Sequence, residues 1–201
     1  MKYKIPAVLA LVALSVAIGL AQTSTNTTSS APAGVVSGSF SFTTIDFPGA
    51  TRTRANGLND HGNIVGGYRD SSSVFHAYLL SQGNFTTFDP PGSVQTRGIA
   101  LNNLGVIGGH FLDSSNVRHS YLLKNGAFTI FDFPGATGTF LQGMNDLGQV
   151  VGAYNDPAGN THGFLMSSGN FTTVDFPGAV ATVAGTRMNP APATTNCCVR
   201  S

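Results

Sequence analysis

The sequence predicts an all-β fold, a β-propeller-like array of four-stranded antiparallel blades, and three observations carry this prediction. The first is a repeat of 43 residues, marked by Asp46, Asp89, Asp132 and Asp175. Fixed periods of about 20–50 residues are typical of solenoids and propellers. The second is that each repeat holds four short strand-like segments separated by turn residues. The third is the composition, whose 25 glycines and 9% charged residues favour strands and turns over helices.

The first 21 residues are predicted to be a signal peptide. Lys2 and Lys4 precede an apolar run, and small residues suited to cleavage end at Ala21. The run is short for a membrane span of about 20 residues, so we expect no span after cleavage. The chain is therefore expected to be secreted, either outside the cell or into a periplasm.

Two further segments frame the repeats. Residues 22–39 are rich in Ser and Thr and carry no charge, which predicts a flexible linker. The repeat domain is expected to cover residues 40–189. Residues 190–201 leave the repeat register, so we expect a disordered tail in which Cys197 and Cys198 have no structural role.

The turns within a repeat follow known residue preferences. Asn-Asp-His-Gly at 59–62 predicts a type I turn with a left-handed glycine, which closes a hairpin. Pro48-Gly49 predicts a type II turn that joins one copy to the next. In the first complete copy, the predicted strands are 54–59, 63–68, 76–80 and 85–89.

Three complete repeats are predicted, together with two orphan strands. The complete repeats are 54–89, 97–132 and 140–175, and the orphan strands are 40–46 and 182–189. The array therefore reads as an incomplete or small propeller, a truncated chain or a fragment of a larger propeller. Its open blade edges would permit self-association. A flat β-meander or a β-sandwich is the alternative fold.

The apolar pattern predicts the core and the outer strands. We expect the core to hold Ile64, Val65, Tyr78, Leu79, Leu80 and their counterparts in the other copies. The fourth strands, of the type Phe-Thr-Thr-Phe-Asp, are expected to lie outermost.

Several motifs recur in a fixed order. They are His-Ala-Tyr at 76–78, His-Ser-Tyr at 119–121 and His-Gly-Phe at 162–164, together with the segments GLNDHGNIVGGY and GMNDLGQVVGAY. These motifs resemble the HAF-type extracellular repeat family, whose name reflects a His-Ala-Phe-like core. The resemblance covers roughly residues 40–189 and implies export and a repeat fold, but it brings no catalytic residues. A weaker likeness to kelch blades supports the blade topology.

Residues present in every copy are expected to be structural. The turn aspartates Asp46, Asp89, Asp132 and Asp175 are expected to accept N–H groups of the turn that follows. His76, His119 and His162 are expected to orient an aspartate or a backbone carbonyl. A metal ring of three histidines is the alternative, but third strands lie away from a propeller axis. We therefore predict no metal and no cofactor.

Polar residues that differ between copies are the better candidates for function. Arg54 and Arg97 share a position that holds Phe140 in the third copy. His110 stands where the other copies have Gly67 and Ala153. These three residues are predicted to present a small cationic patch to an anionic or sugar ligand. Solvated surface charge is the alternative.

The sequence predicts a secreted, non-enzymatic module that binds a protein or a glycan. A purely structural surface-array unit is the alternative. A propeller-based hydrolase is disfavoured, because all nine acidic residues fall on repeat positions and glycosidase chemistry needs two carboxyls in different roles. Nucleic acid is an unsuitable partner, because the net charge is only +1 and no basic stripe exists.

Overall fold

The computed structural model describes residues 41–186 and 197–200, and this part of the chain is all-β. Within it, no helix is long and apolar enough to cross a membrane. The strands are β1 (Arg52–Leu58), β2 (Ile64–Arg69), β3 (Phe75–Ser81), β4 (Asn84–Phe88), β5 (Gln95–Leu101), β6 (Ile107–Leu112), β7 (Arg118–Lys124), β8 (Ala127–Phe131), β9 (Gly138–Met144), β10 (Val150–Asn155), β11 (Thr161–Ser167), β12 (Asn170–Val174), β13 (Val183–Thr186) and β14 (Cys197–Arg200).

Three antiparallel four-stranded units follow one another: β1–β4, β5–β8 and β9–β12. The prediction of four strands per repeat is confirmed, with strand ends displaced by up to two residues. The register repeats as well, since the second and third strands pair Tyr68 with His76, Phe111 with His119 and Tyr154 with His162. Each first strand carries a β-bulge at the same repeat position.

Successive units pack through their first strands. β5 packs against β2 and β3, β9 against β6 and β7, and β13 against β10 and β11. Only one parallel residue pair, Arg118 with Gly138, joins β7 to β9. No closed barrel or propeller ring is formed by the described residues. Each unit thus buries one face on the unit that follows it.

Apolar side chains between the units form the core. Val65, Tyr78 and Leu80 are buried, which confirms those predictions, whereas Ile64 and Leu79 are only half-buried. Their counterparts Tyr121 and Phe164 are fully buried. The strands β4, β8 and β12 lie at sheet edges and consist only of exposed and half-buried residues, so their predicted outer position is confirmed.

Local hydrogen bonds confirm both predicted turn types. The Ala50 N–H donates to the Phe47 carbonyl at 3.1 Å, and Gly49 has φ of 75°, as a type II turn requires at its third residue. In the hairpin, the Gly62 N–H donates to the Asn59 carbonyl at 3.0 Å, and Gly62 has φ of 75°. Only glycine adopts this left-handed conformation without cost.

Buried asparagines connect successive units at these hairpins. The Asn102 side chain accepts N–H groups of Leu104 and Val106 at 3.1 Å and 2.9 Å, which shapes its own turn. Its Nδ2 donates to the Asn145 carbonyl at 3.3 Å in the next unit. Asn59 donates to the Asn102 carbonyl in the same way, at 3.2 Å. One residue type therefore stabilises both the turn and the stack.

The two ends of the array differ from the prediction. Residues 41–46 form no strand, so the orphan strand predicted at 40–46 is wrong over these residues. The second orphan strand is present as β13, which pairs with β14. β14 lies inside the stretch 190–201, for which we predicted no regular structure.

Several predictions concern residues outside the described part of the chain. The signal peptide, the linker, residue 40, the end of the last orphan strand at 187–189 and most of the tail all lie there.

Candidate functional site

Threonines, not aspartates, brace the joints between repeats. At three joints the N–H of the residue after the aspartate donates to a threonine hydroxyl six residues later: Phe47 to Thr53 at 2.9 Å, Phe133 to Thr139 at 2.9 Å and Phe176 to Thr182 at 3.1 Å. No turn aspartate accepts an N–H of its own turn among the described residues. The bracing role predicted for these aspartates is therefore wrong.

The second joint lacks this bond for a simple reason. Pro90 takes the place of the phenylalanine and has no N–H to donate. The Thr96 hydroxyl lies instead 3.2 Å from the Ser93 hydroxyl. The second joint therefore has the same threonine as the other joints, but the threonine hydroxyl contacts a serine hydroxyl and not a backbone N–H.

Each repeat histidine lies between two aspartates. Its Nδ1 contacts a turn aspartate: His76 with Asp89 at 2.7 Å, His119 with Asp132 at 2.7 Å and His162 with Asp175 at 2.8 Å. Its Nε2 faces the aspartate that follows the second strand: Asp70 at 3.6 Å, Asp113 at 3.6 Å and Asp156 at 3.3 Å. The three side chains connect the end of the second strand, the start of the third and the end of the fourth.

Hydrogen bonds set the electrostatics of these clusters. The hydrogen bond to Asp175 raises the pKa of His162, with a further contribution from Asp156. Burial lowers the pKa of His119, but Asp132 and Asp113 outweigh it and the net shift is upward. Hydrogen bonds from the Asn160 side chain and backbone lower the pKa of Asp156 to about 2.

The Asp-His-Asp geometry fits a structural clamp. Both ring nitrogens face carboxylates, so neither is left to activate a nucleophile as a general base would. The same arrangement occurs in three copies. Among residues 41–186, no group of three or more His, Cys, Asp or Glu side chains is placed to hold a metal ion.

A different constellation lies where the first two units meet. Arg52, Arg54, Arg97 and Arg118, here called the arginine cluster, come from the starts of β1, β5 and β7. Burial lowers the pKa of Arg97, and the charges of Arg54, Arg118 and Arg52 lower it further. The guanidinium groups of Arg54, Arg118 and Arg52 therefore each lie within electrostatic range of Arg97.

No carboxylate compensates this cluster. All nine acidic side chains of the chain lie within residues 41–186. The ion pairs in that range each join a histidine to an aspartate, and none includes an arginine.

Two of the arginines rest on aromatic rings of neighbouring units. The Arg97 Cζ lies 4.2 Å from the centroid of the Phe75 ring in the preceding unit. The Arg118 Cζ lies 4.9 Å from the centroid of the Phe140 ring in the following unit. Stacking holds a guanidinium plane in place and leaves its N–H edge open to a ligand.

His110 lies beside the same two arginines. It is the cross-strand partner of Arg97 and is only 7% exposed. Its Nδ1 is buried and has no hydrogen-bond partner. Burial, with the nearby charge of Arg118, lowers its pKa to about 4, so the ring is neutral at pH 7. A small cleft is lined by Gln95, Arg97, His110, Phe111, Leu112 and Arg118.

The structure thus brings together the three residues that the sequence singled out, Arg54, Arg97 and His110. Sequence reasoning missed Arg52 and Arg118. Arg118 could have been identified from the sequence, because the corresponding positions of the other copies hold Phe75 and Thr161. The comparison of repeat positions that singled out Arg54, Arg97 and His110 identifies Arg118 as well.

A larger cleft of about 80 Å³ lies at the other end of the first strands. It is lined by Asn56, Gly57, Leu58, Ile99, Ala100, Leu101, Gln142, Gly143 and Met144, from β1, β5 and β9. Asn56 donates to the Gly98 carbonyl at 2.8 Å. The first strands of three successive units therefore share one cleft, and no ionisable side chain lines it.

Comparison with known proteins adds no assignment. No protein-family model matches the chain, and no curated protein matches it.

Proposed function

We propose that this chain is an exported, non-enzymatic binding module of the HAF-repeat type, whose arginine cluster binds an acidic glycan. The observation that carries the proposal is four arginines gathered without a carboxylate at positions where the repeats differ. Residues that stack one repeat on the next are expected to be the same in every copy. Residues that bind a ligand can differ between copies, because the ligand contacts only some of them.

The cluster suits an ionic polymer better than a protein interface. Protein interfaces draw most of their energy from a few buried aromatic or arginine anchors in apolar surroundings. Here the rings of Phe75 and Phe140 are covered by guanidinium groups. The exposed apolar residues next to the cluster in sequence are only Val94 and Val117. Charge is thus the main feature that this surface offers.

The packing of the units supports the same proposal. β5 lies against the first unit and β9 against the second, and three first strands share one cleft, as is expected of strands around a propeller axis. In such an arrangement the starts of the first strands form one rim, which is where Arg52 and Arg54 lie. A rim of this kind is open to long ligands.

Binding of purified chain to immobilised dextran sulfate, polygalacturonate and uncharged dextran tests the proposal. We expect both acidic polymers to bind, the neutral one to fail, and the signal to fall steeply with added salt. The double variant R54A/R97A should lose most of the binding. The matched control K124A removes an exposed cation in the β7–β8 hairpin and should bind normally.

Two other outcomes of this binding experiment would each favour a different function. Stronger binding to polyglutamate than to either acidic glycan would favour a protein partner instead. Failure of every polymer, combined with concentration-dependent assembly of the chain, would favour the structural array unit. Either result overturns the glycan proposal.

A further inference from the structure

We infer that the cleft between Arg97 and Arg118, with His110 at its floor, is a subsite for one sulfate or carboxylate group of the ligand. The inference rests on the proposed function and deepens it, because it names the group that is recognised and the atoms that recognise it.

The charges in the cleft are all of one sign. Arg97 and Arg118 are both half-buried, and burial lowers the pKa of each. No acidic side chain pairs with either of them within residues 41–186. Half-buried like charges are costly to keep without a counter-charge. An oxyanion supplies that counter-charge.

Contacts with aromatic rings position the two guanidinium groups to bind an oxyanion. The Arg97 Cζ lies over Phe75 and the Arg118 Cζ over Phe140, so each guanidinium group contacts a ring of a different unit. An arginine held by stacking keeps its N–H donors in a rigid fork that matches a sulfate or carboxylate. The residues that line the cleft thus come from the second unit, and the first and third units each contribute a ring that lies against one of its arginines.

His110 supplies the third group. Its Nδ1 is buried without a partner, although buried polar atoms in folded proteins nearly always have one. An oxygen that enters the cleft gives this nitrogen a partner. The cleft is partly open, and its volume is only about 10 Å³, close to what one water-sized atom fills. One ligand oxygen thus enters, and the rest of the ligand stays outside.

Protonation of His110 should be linked to binding. Burial and the charges of Arg118 from β7 and Arg97 from β5 disfavour the imidazolium, whereas the Leu141 backbone of β9 favours it. A bound anion offsets those charges and favours protonation. Binding then takes up a proton, so affinity should increase as the pH falls from about 7.5 towards 5. A sulfate group keeps its own charge over this range.

Calorimetric titration of the full chain with dextran sulfate, at about pH 5 and about pH 7.5, tests this subsite. The variants are R118T and H110A, which place in the second repeat the residue types that the third has at Thr161 and Ala153. We expect R118T to weaken binding about tenfold or more. H110A should abolish the increase at low pH. K124A should stay within about twofold of the wild type.

Two further measurements test the subsite directly. Inorganic sulfate should shift the His110 ring ¹⁵N resonances, which a merely structural histidine would not show. Polygalacturonate at about pH 7.5 tells whether a carboxylate is accepted as well as a sulfate. Circular dichroism and thermal melts establish that each variant is folded.

These experiments distinguish a failure of the subsite from a failure of the proposed function. If the wild type binds, and R52A/R54A weakens binding while R118T and H110A do not, the proposed function stands and the subsite is wrong. Unchanged pH dependence in H110A also overturns the subsite. If the wild type binds no acidic polymer and sulfate leaves His110 unshifted, both proposals fail.

Discussion

The hydroxyl of Thr139 accepts the backbone N–H of Phe133 at 2.9 Å, across the turn that joins the second repeat to the third. Thr139 is fully buried, and Phe133 stacks on Tyr154 with ring centroids 3.6 Å apart. The bond thus fixes both the direction of the chain and the position of an aromatic ring. The aspartate before the turn serves the histidine clamp instead.

Replacing Thr139 with valine should therefore destabilise the fold by about 1–2 kcal/mol, because an isosteric methyl leaves the Phe133 N–H without its acceptor. Urea unfolding followed by circular dichroism measures the loss. Thr96→Val is the matched control, since Pro90 has no N–H at the corresponding position. It should cost clearly less. Equal losses in the two variants would show that the hydroxyl bond is unimportant.

Asn102→Asp should isolate the bond between units. The carboxylate keeps an acceptor for the N–H groups of Leu104 and Val106 but loses the donor to the Asn145 carbonyl. Because the residue is only 2% exposed, we expect a loss of about 2–3 kcal/mol in urea unfolding.

Asn145→Asp is its control. The Nδ2 of Asn145 donates to Gln149 of its own hairpin at 2.7 Å, and this residue is half-buried. The loss should be smaller. A larger loss for Asn145→Asp would contradict a stabilising asparagine bond between units.

Two glycines in the second strands of different units should respond differently to alanine. A Cβ at Gly109 would overlap the Arg97 carbonyl and come within 2.6 Å of the Tyr121 hydroxyl. We expect Gly109→Ala to cost about 3 kcal/mol or to prevent folding. At Gly67, a Cβ would approach only the His76 carbonyl, at 3.3 Å, and the third repeat already has Ala153 there. Thermal melts should find Gly67→Ala close to the wild type; comparable damage at both sites would refute the packing described here.

The histidine clamps should make stability depend on pH. Asp175 raises the pKa of His162 above its usual value of about 6.5. The resulting stability is present below about pH 6.5 and is lost as the pH rises through the raised folded value. His162→Gln should thus lower the urea midpoint more at about pH 5.5 than at about pH 8.5.

His61→Gln is the control for that measurement. His61 lies exposed in a hairpin tip, outside the clamps. Its replacement should shift the midpoint little, and equally at both pH values. A pH-independent loss in His162→Gln would mean that the clamp contributes packing rather than charge.

Much of the architecture could be predicted from the chain alone. The 43-residue period, the four strands per repeat, both turn types and the outer fourth strands depend on local patterns of glycine, proline and alternating apolar residues. Such patterns act within a few residues, so the sequence reveals them directly. The divergent positions Arg54, Arg97 and His110 were visible in the same way.

Partners across the fold were decided only by the tertiary structure. Asp89 contacts His76 and not its own turn, because β3 and β4 pair and bring the two side chains together. Arg118 comes near Arg97 because β6 pairs with both β5 and β7, and the rings of Phe75 and Phe140 reach these arginines from the two neighbouring units. These contacts join residues from strands and units that are distant in sequence. The repeat determines which residues are available, and the packing of the units determines which of them meet.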